Sequence, residues 1–224
     1  MANNYYEATG VLSLEHVTPV ITALFGAFNL DASYPGNGRA FIARIAETND
    51  PQWDDVLERL TALAAQLGIS PNSEAESTIE VVLENLARYF QADQDEDFEN
   101  LIEHHPFEGD ADLEALFFIA SRFNDGHNLV AIQFEGCWYC SAPRLFEFVG
   151  HACFISREVN LFRNSTQALK LGTDLHKALR EGDLTEATTC ITLEMAGLLA
   201  GIQDPNIRRI LRQRIAECLL QDQD

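Results

Sequence analysis

The sequence is poor in positive charge. Its 224 residues hold 15 Lys and Arg against 35 Asp and Glu, a formal net charge of −20 at pH 7. Between Leu60 and Ser121 the one basic residue is Arg88. Such a surface repels nucleic acid and anionic membrane, so direct binding to either is not expected. It would attract a basic protein partner, or imitate a nucleic-acid backbone, besides keeping the chain in solution. The imbalance is uneven. Residues 1–121 hold 22 acids and 4 bases, whereas residues 122–224 hold 13 and 11.

Other absences narrow the choices. The opening MANNYYEATG has neither the basic stretch nor the apolar stretch of a secretory leader. The longest apolar helix, around Cys190 to Ile202, contains Glu194 and two glycines and is too short to span a bilayer. Five cysteines make an odd set, which fits reduced thiols in a cytoplasmic protein better than a disulfide framework. Tyr34-Pro35-Gly36-Asn37-Gly38 has turn chemistry but lacks the Lys-Ser/Thr of a phosphate-binding loop. Asp93-Gln94-Asp95-Glu96-Asp97 lacks the glycine and the spaced glutamate of a calcium loop. No cofactor is expected from these patterns.

What is present is 46% hydrophobic sequence with ordinary glycine and proline content, enough to bury a substantial core. Its centre is Leu129 to Ile155, LVAIQFEGCWYCSAPRLFEFVGHACFI, with two β-forming runs either side of Ser141-Ala142-Pro143. A three-residue loop would set Cys140 opposite Arg144. Val130, Ile132, Phe134 and Trp138 would then share an apolar face with Phe146, Phe148, Ala152 and Phe154. Gln133, Glu135, Cys137, Glu147, His151 and Cys153 would share the polar one. Gly136 and Gly150 would meet near the middle and mark a bulge or a close approach. On the polar face Glu135, His151 and Glu147, with Cys137, form the candidate catalytic set, since a histidine near a carboxylate titrates close to neutrality. Solvated polar residues on an open sheet account for the same pattern.

Cys137-Trp138-Tyr139-Cys140 superficially resembles the motif of thioredoxin-like proteins, in which a helix after the first cysteine lowers its pKa. The following RLFEFVGHACFI is strand-like, which argues against that reading. Cys137, Cys140, His151 and Cys153 are the weak metal candidates. In the expected register His151 lies opposite Gln133, four positions from Cys137. At roughly 3.4 Å per residue that is too far for one ion. Cysteines packed as small hydrophobes remain the simplest reading. The adjacent His104-His105 pair is a further weak metal candidate.

Elsewhere the chain alternates a first strand at Tyr5–Leu14 and a strand at Arg39–Ala46 with capped amphipathic helices. These start at Thr18-Pro19, Asp50-Pro51, Ser77 and Asp110, and near Phe98. Glu158–Phe162 reads as another strand, and Ser165 as the cap of a helix ending at Gly182. Leu184–Ile202 is apolar nearly all round, as in a core or interface helix, and contains Glu194. The last helix, after Asp204-Pro205, flanks an apolar seam with Arg208, Arg209, Arg212 and Arg214. Homo-oligomerisation through these last helices is an expectation. A faint echo between 5–46 and 101–135 fits either a duplicated β-α-β unit or chance similarity in apolar sequence, the short matches and unequal spacings favouring the second.

The expected fold is α+β: one domain over 1–224, with a mostly antiparallel sheet centred on the 129–155 hairpin and helices on one face. The expected function is a non-catalytic acidic interaction or inhibitory protein for a basic partner, possible nucleic-acid mimicry included. The alternative is a small-molecule enzyme or thiol-redox protein that uses the polar hairpin face.

Overall fold

A computed structural model describes residues 4–45, 47–69, 78–142, 145 and 147–221. Among these, six strands form one antiparallel sheet of order β2-β3-β1-β4-β5-β6. The central strand β1 (Asn4–Ser13) pairs with β3 (Arg39–Ile45) on one side and β4 (Ala131–Cys140) on the other. Its alternation sets the layers. Ala8 and Leu12 are buried under helices, whereas Thr9 and Val11 face the opposite, open side.

Five helices cover the first face. They are α1 (Pro19–Phe25), α2 (Trp53–Gln66), α3 (Ile79–Phe90), α4 (Glu96–His104) and α5 (Leu113–Arg122). Their apolar stripes meet Ile42, Ile132 and Phe134 in one continuous core, with Trp53, Phe25, Phe98 and Phe123 fully buried. Thr18 caps α1 as expected, its side chain accepting from the Ile21 amide. Asp125, beyond α5, accepts from the Thr18 hydroxyl at 2.7 Å and the Val20 amide at 3.0 Å, and so locks α1 to α5. The positive end of the helix favours this carboxylate.

Several expected helix starts move. Gln52, not Asp50, caps α2, through a reciprocal box with Asp55. Asp112, not Asp110, caps α5. Asp50 and Asp110 instead both pair with Arg44 of β3, an ion-pair demand that local sequence does not reveal. Asn164, not Ser165, caps the next long helix, and Ser77 lies outside the described residues, as do Pro71, Asn72 and Ser73. The short edge strand β2 (Asp31–Pro35) takes in Tyr34 and Pro35 of the expected turn; it is exposed throughout and bound only to β3.

The hairpin forms, but in another register. In β4 and β5 (Val149–Ser156), Ile132 pairs with Ile155, Phe134 with Cys153 and Gly136 with His151. His151 thus stands opposite Gly136 and not Gln133, a slip of three residues. An odd slip exchanges the faces of the second strand. His151 and Cys153 join Phe134 on the helix side, and Ala152 and Phe154 join Glu135 on the open side. The connection runs from Ser141 to Phe148, longer than the expected turn, and Phe148 is exposed in it. Arg144 and Phe146 lie outside the described residues. Ile155 is 5% exposed, so the observed register buries a β-branched residue against Ile132, whereas the expected one would have turned it outward. The close approach foreseen at Gly136 exists, but its partner is Ala8: a Cβ there would come within 2.4 Å of the Ala8 Cβ.

The strand β6 (Asn160–Asn164) feeds α6 (Ser165–Glu181), α7 (Leu184–Ala200) and α8 (Pro205–Gln221). Gly182, at φ +71°, turns the chain between α6 and α7 in a conformation costly for other residues. The end of α7 is stitched to the β5–β6 turn by Asn160 N to Gly201 O (2.8 Å) and Gln203 N to Glu158 O (2.9 Å). Arg163 and Glu194 form an ion pair at 2.6 Å, which explains the carboxylate inside an apolar helix. Of the two expectations for α7, core helix or interface helix, the exposure of Leu184 (70%) and Leu193 (67%) removes the first. Among the described residues no helix is long and apolar enough to cross a membrane.

Candidate functional site

The structure divides the residues singled out on the hairpin. Glu135 and Cys137 are exposed on the open face of β4, Glu135 across from Thr9 and Ala152. His151 is on the other face. Its Nε2 lies 3.0 Å from the Tyr6 hydroxyl, and its ring stacks between Tyr6 (5.5 Å) and Phe162 (5.6 Å). Burial lowers the His151 pKa. Burial also pushes the Tyr6 phenol up to about 12, although the Arg44 guanidinium, 5.0 Å from its ring centre, opposes the shift. Glu147 sits in the connection before β5. The sheet therefore separates His151 from Glu135, and proton transfer between them lacks the contact it needs.

The sulfurs are divided too. Cys137 is exposed and Cys140 buried, on opposite faces of one strand, with β5 and not a helix following the motif. Burial raises the Cys153 pKa, and Glu114 adds to this. Cys137, Cys140, His151 and Cys153 do not converge, and among the described residues no group of three or more His, Cys, Asp or Glu is placed to hold a metal ion. His104 and His105 diverge. His104 Nδ1 lies 3.1 Å from Asn100 O, whereas His105 accepts from the Phe107 amide and donates to Asp112 at 3.0 Å.

Two concavities adjoin the hairpin residues and the acidic run. The larger, about 630 Å³, lies on the open face of the sheet. Val11, Phe41, Phe154 and Leu161 give it an apolar floor, Tyr34 and Pro35 wall one end, and Glu135 is the one carboxylate of its lining.

The smaller, about 290 Å³, lies between α3 and α4. Its floor is Ala87, Ala92, Phe98 and Ile102, and Glu84, Asp93, Asp95, Glu99 and Glu103 surround it. The base of its lining, Arg88, is engaged with Glu84 (3.4 Å) and Asn85 (2.9 Å). Asp95 holds the groove together. It caps α4 by accepting from the Phe98 amide at 3.0 Å and pairs with Arg122 of α5 at 2.7 Å. Burial pushes its carboxyl up, but the Arg122 contact and the amide bonds outweigh this and lower the pKa. The sequence marks this acidic run as the start of a helix near Phe98, and α4 begins there. It does not show that α3 folds back to make the run one wall of a groove.

Asp95→Ala should cost about 1–2 kcal/mol, chiefly through the lost cap. The native carboxyl titrates below its unfolded value. Its contribution is therefore present above the ordinary carboxylate range and is lost as pH falls through the native pKa. Urea midpoints of the two proteins should differ at neutral pH and converge below about pH 4. A constant difference across that range would remove the ionised pair from the account.

No family model, curated protein or solved structure matches the chain.

Proposed function

We propose that this protein is a non-catalytic acidic binding protein. Its groove between α3 and α4 takes a basic, amphipathic segment of a partner protein. The observation that carries this reading is the pairing of an apolar floor with a carboxylate rim in one concavity. An amphipathic helix laid in a groove buries its apolar side chains while its Lys and Arg reach outward to the rim. The half-buried Ile102 in the floor fits such a segment better than it fits mimicry of a nucleic acid, whose backbone presents no apolar stripe. The charge of −20 adds long-range steering toward a basic partner. Cytoplasmic residence belongs to this proposal.

The test is a titration with a short helical Lys/Leu amphipathic peptide at two ionic strengths. Raising salt from about 0.1 M to about 1 M cuts the screening length from about 10 Å to about 3 Å. Affinity should fall at least about tenfold. A Glu/Leu peptide of the same pattern should not bind. Equal affinity for the two peptides would end the proposal.

A second reading rests on the open-face groove, whose size is that of a small-molecule site. Glu135 would be its acid or base, and exposed Cys137 a neighbouring thiol. It is the weaker reading because His151, its natural partner, is on the other face.

A further inference from the structure

We infer that α7 and α8 form the interface between two copies of this chain. The starting point is apolar surface that the fold leaves uncovered. Of the fifty-odd residues of α6–α8, the buried ones are Ala178, Ala187 and Leu199, and α8 buries none. Leu184, Ile191 and Leu198 recur every seventh residue and so run down one side of α7. They are 70%, 50% and 46% exposed. On α8, Ile207, Ile210 and Leu219 are 50%, 43% and 57% exposed. A helix needs a packed apolar face to hold its place, and isolated helices of this length are marginal in water. A specific interface takes about 800 Å² from each partner, and the exposed side chains of the α7 stripe with Ile207 and Ile210 of α8 contribute part of it.

Charge selects the occupant. Residues 165–221 contain 7 acids and 7 bases, a balance of zero, whereas residues 1–164 contain 26 acids and 8 bases, a balance of −18. A second copy carries the same −20 and is repelled over most of its surface. The C-terminal helices are the region where two such molecules meet without that penalty. Within α7 the charged residues are Glu186 and Glu194, the latter already paired with Arg163, and within α8 they are four arginines and Glu217. A basic partner, in contrast, gains nothing from a neutral face. This inference does not depend on the α3–α4 groove.

Light scattering on the full chain tests it. The expected mass is twice the chain's 25.0 kDa. Ile191→Glu with Leu198→Glu should weaken self-association at least about 100-fold while the circular dichroism spectrum is unchanged. Should that variant not fold, Arg209→Glu with Arg212→Glu, whose side chains have no part in the core, should weaken it in the same direction. Val130→Glu, at an exposed apolar residue just before β4, should leave the dimer intact. A wild-type monomer into the millimolar range would overturn the inference. So would a dimer unaffected by the changes in α7 and α8, or one broken by Val130→Glu.

Discussion

Gly10→Val should leave little or no folded protein. Gly10 lies at the middle of the central strand, between Ile42 of β3 and Phe134 of β4. A Cβ at this position would come within 2.2 Å of the Gln133 carbonyl oxygen and 2.6 Å of the Phe134 ring. The ring could turn, but the carbonyl belongs to the ladder between β1 and β4 and cannot retreat without breaking it. Phe134 also packs edge-on against Phe28 at 6.5 Å, so even the ring's movement disturbs the core. Overpacking of this kind costs more than the usual 1–3 kcal/mol. The whole stability of a domain is about 5–15 kcal/mol. Gly172→Ala is the matching control. Gly172 lies within α6 with open space around its missing Cβ. Alanine there should raise stability by about 0.5–1 kcal/mol. Soluble yield and thermal melts of the two variants read the contrast. A Gly10→Val protein that melts near the wild type would show that β1 and β4 do not pair in this register.

Glu99→Lys with Glu103→Lys should abolish measurable binding of the Lys/Leu peptide. Both side chains are on α4 and line the groove, and both are exposed. Exposed reversals leave the fold nearly untouched, within about 0.5 kcal/mol. Across an interface, however, each exchanges attraction for repulsion, and like charges brought together cost several kcal/mol in favourable cases. A loss of at least about 100-fold is expected for the pair. The same double reversal should permit weak binding of the Glu/Leu peptide, an inversion that general unfolding could not produce. Retained affinity for the Lys/Leu peptide would place the site elsewhere.

Much of this architecture is legible because it is locally encoded. Thr18-Pro19 starts α1, Gly182 ends α6, and the apolar stripe of Trp53, Val56, Leu60 and Leu63 is buried as its spacing requires. The hairpin register was not legible, because both faces of β5 carry apolar residues. Phe154 and Ala152 compete with Ile155, Cys153 and Val149, so alternation alone does not select a side. β2 is not legible, because Asp31-Ala32-Ser33-Tyr34-Pro35 has turn composition and buries nothing. The apolar sequence of α7 reads as a buried helix, yet the chain by itself covers little of it. The candidate site failed for a related reason. His151 and Glu135 were joined only by a register that depended on a short turn, and the odd slip put a sheet between them. The α3–α4 groove is built within residues 84–103, but apart from the acidic run that joins the two helices nothing in the sequence shows that α3 and α4 fold back to enclose a concavity.

Amide chemical-shift mapping of the bound Lys/Leu peptide addresses the binding reading most directly. The account predicts shifts concentrated between Glu84 and Glu103, with Phe98 and Ile102 among the largest and Thr9, Phe41, Gln133 and Phe154 unmoved. Shifts on the open sheet face, with α3 and α4 silent, would contradict it.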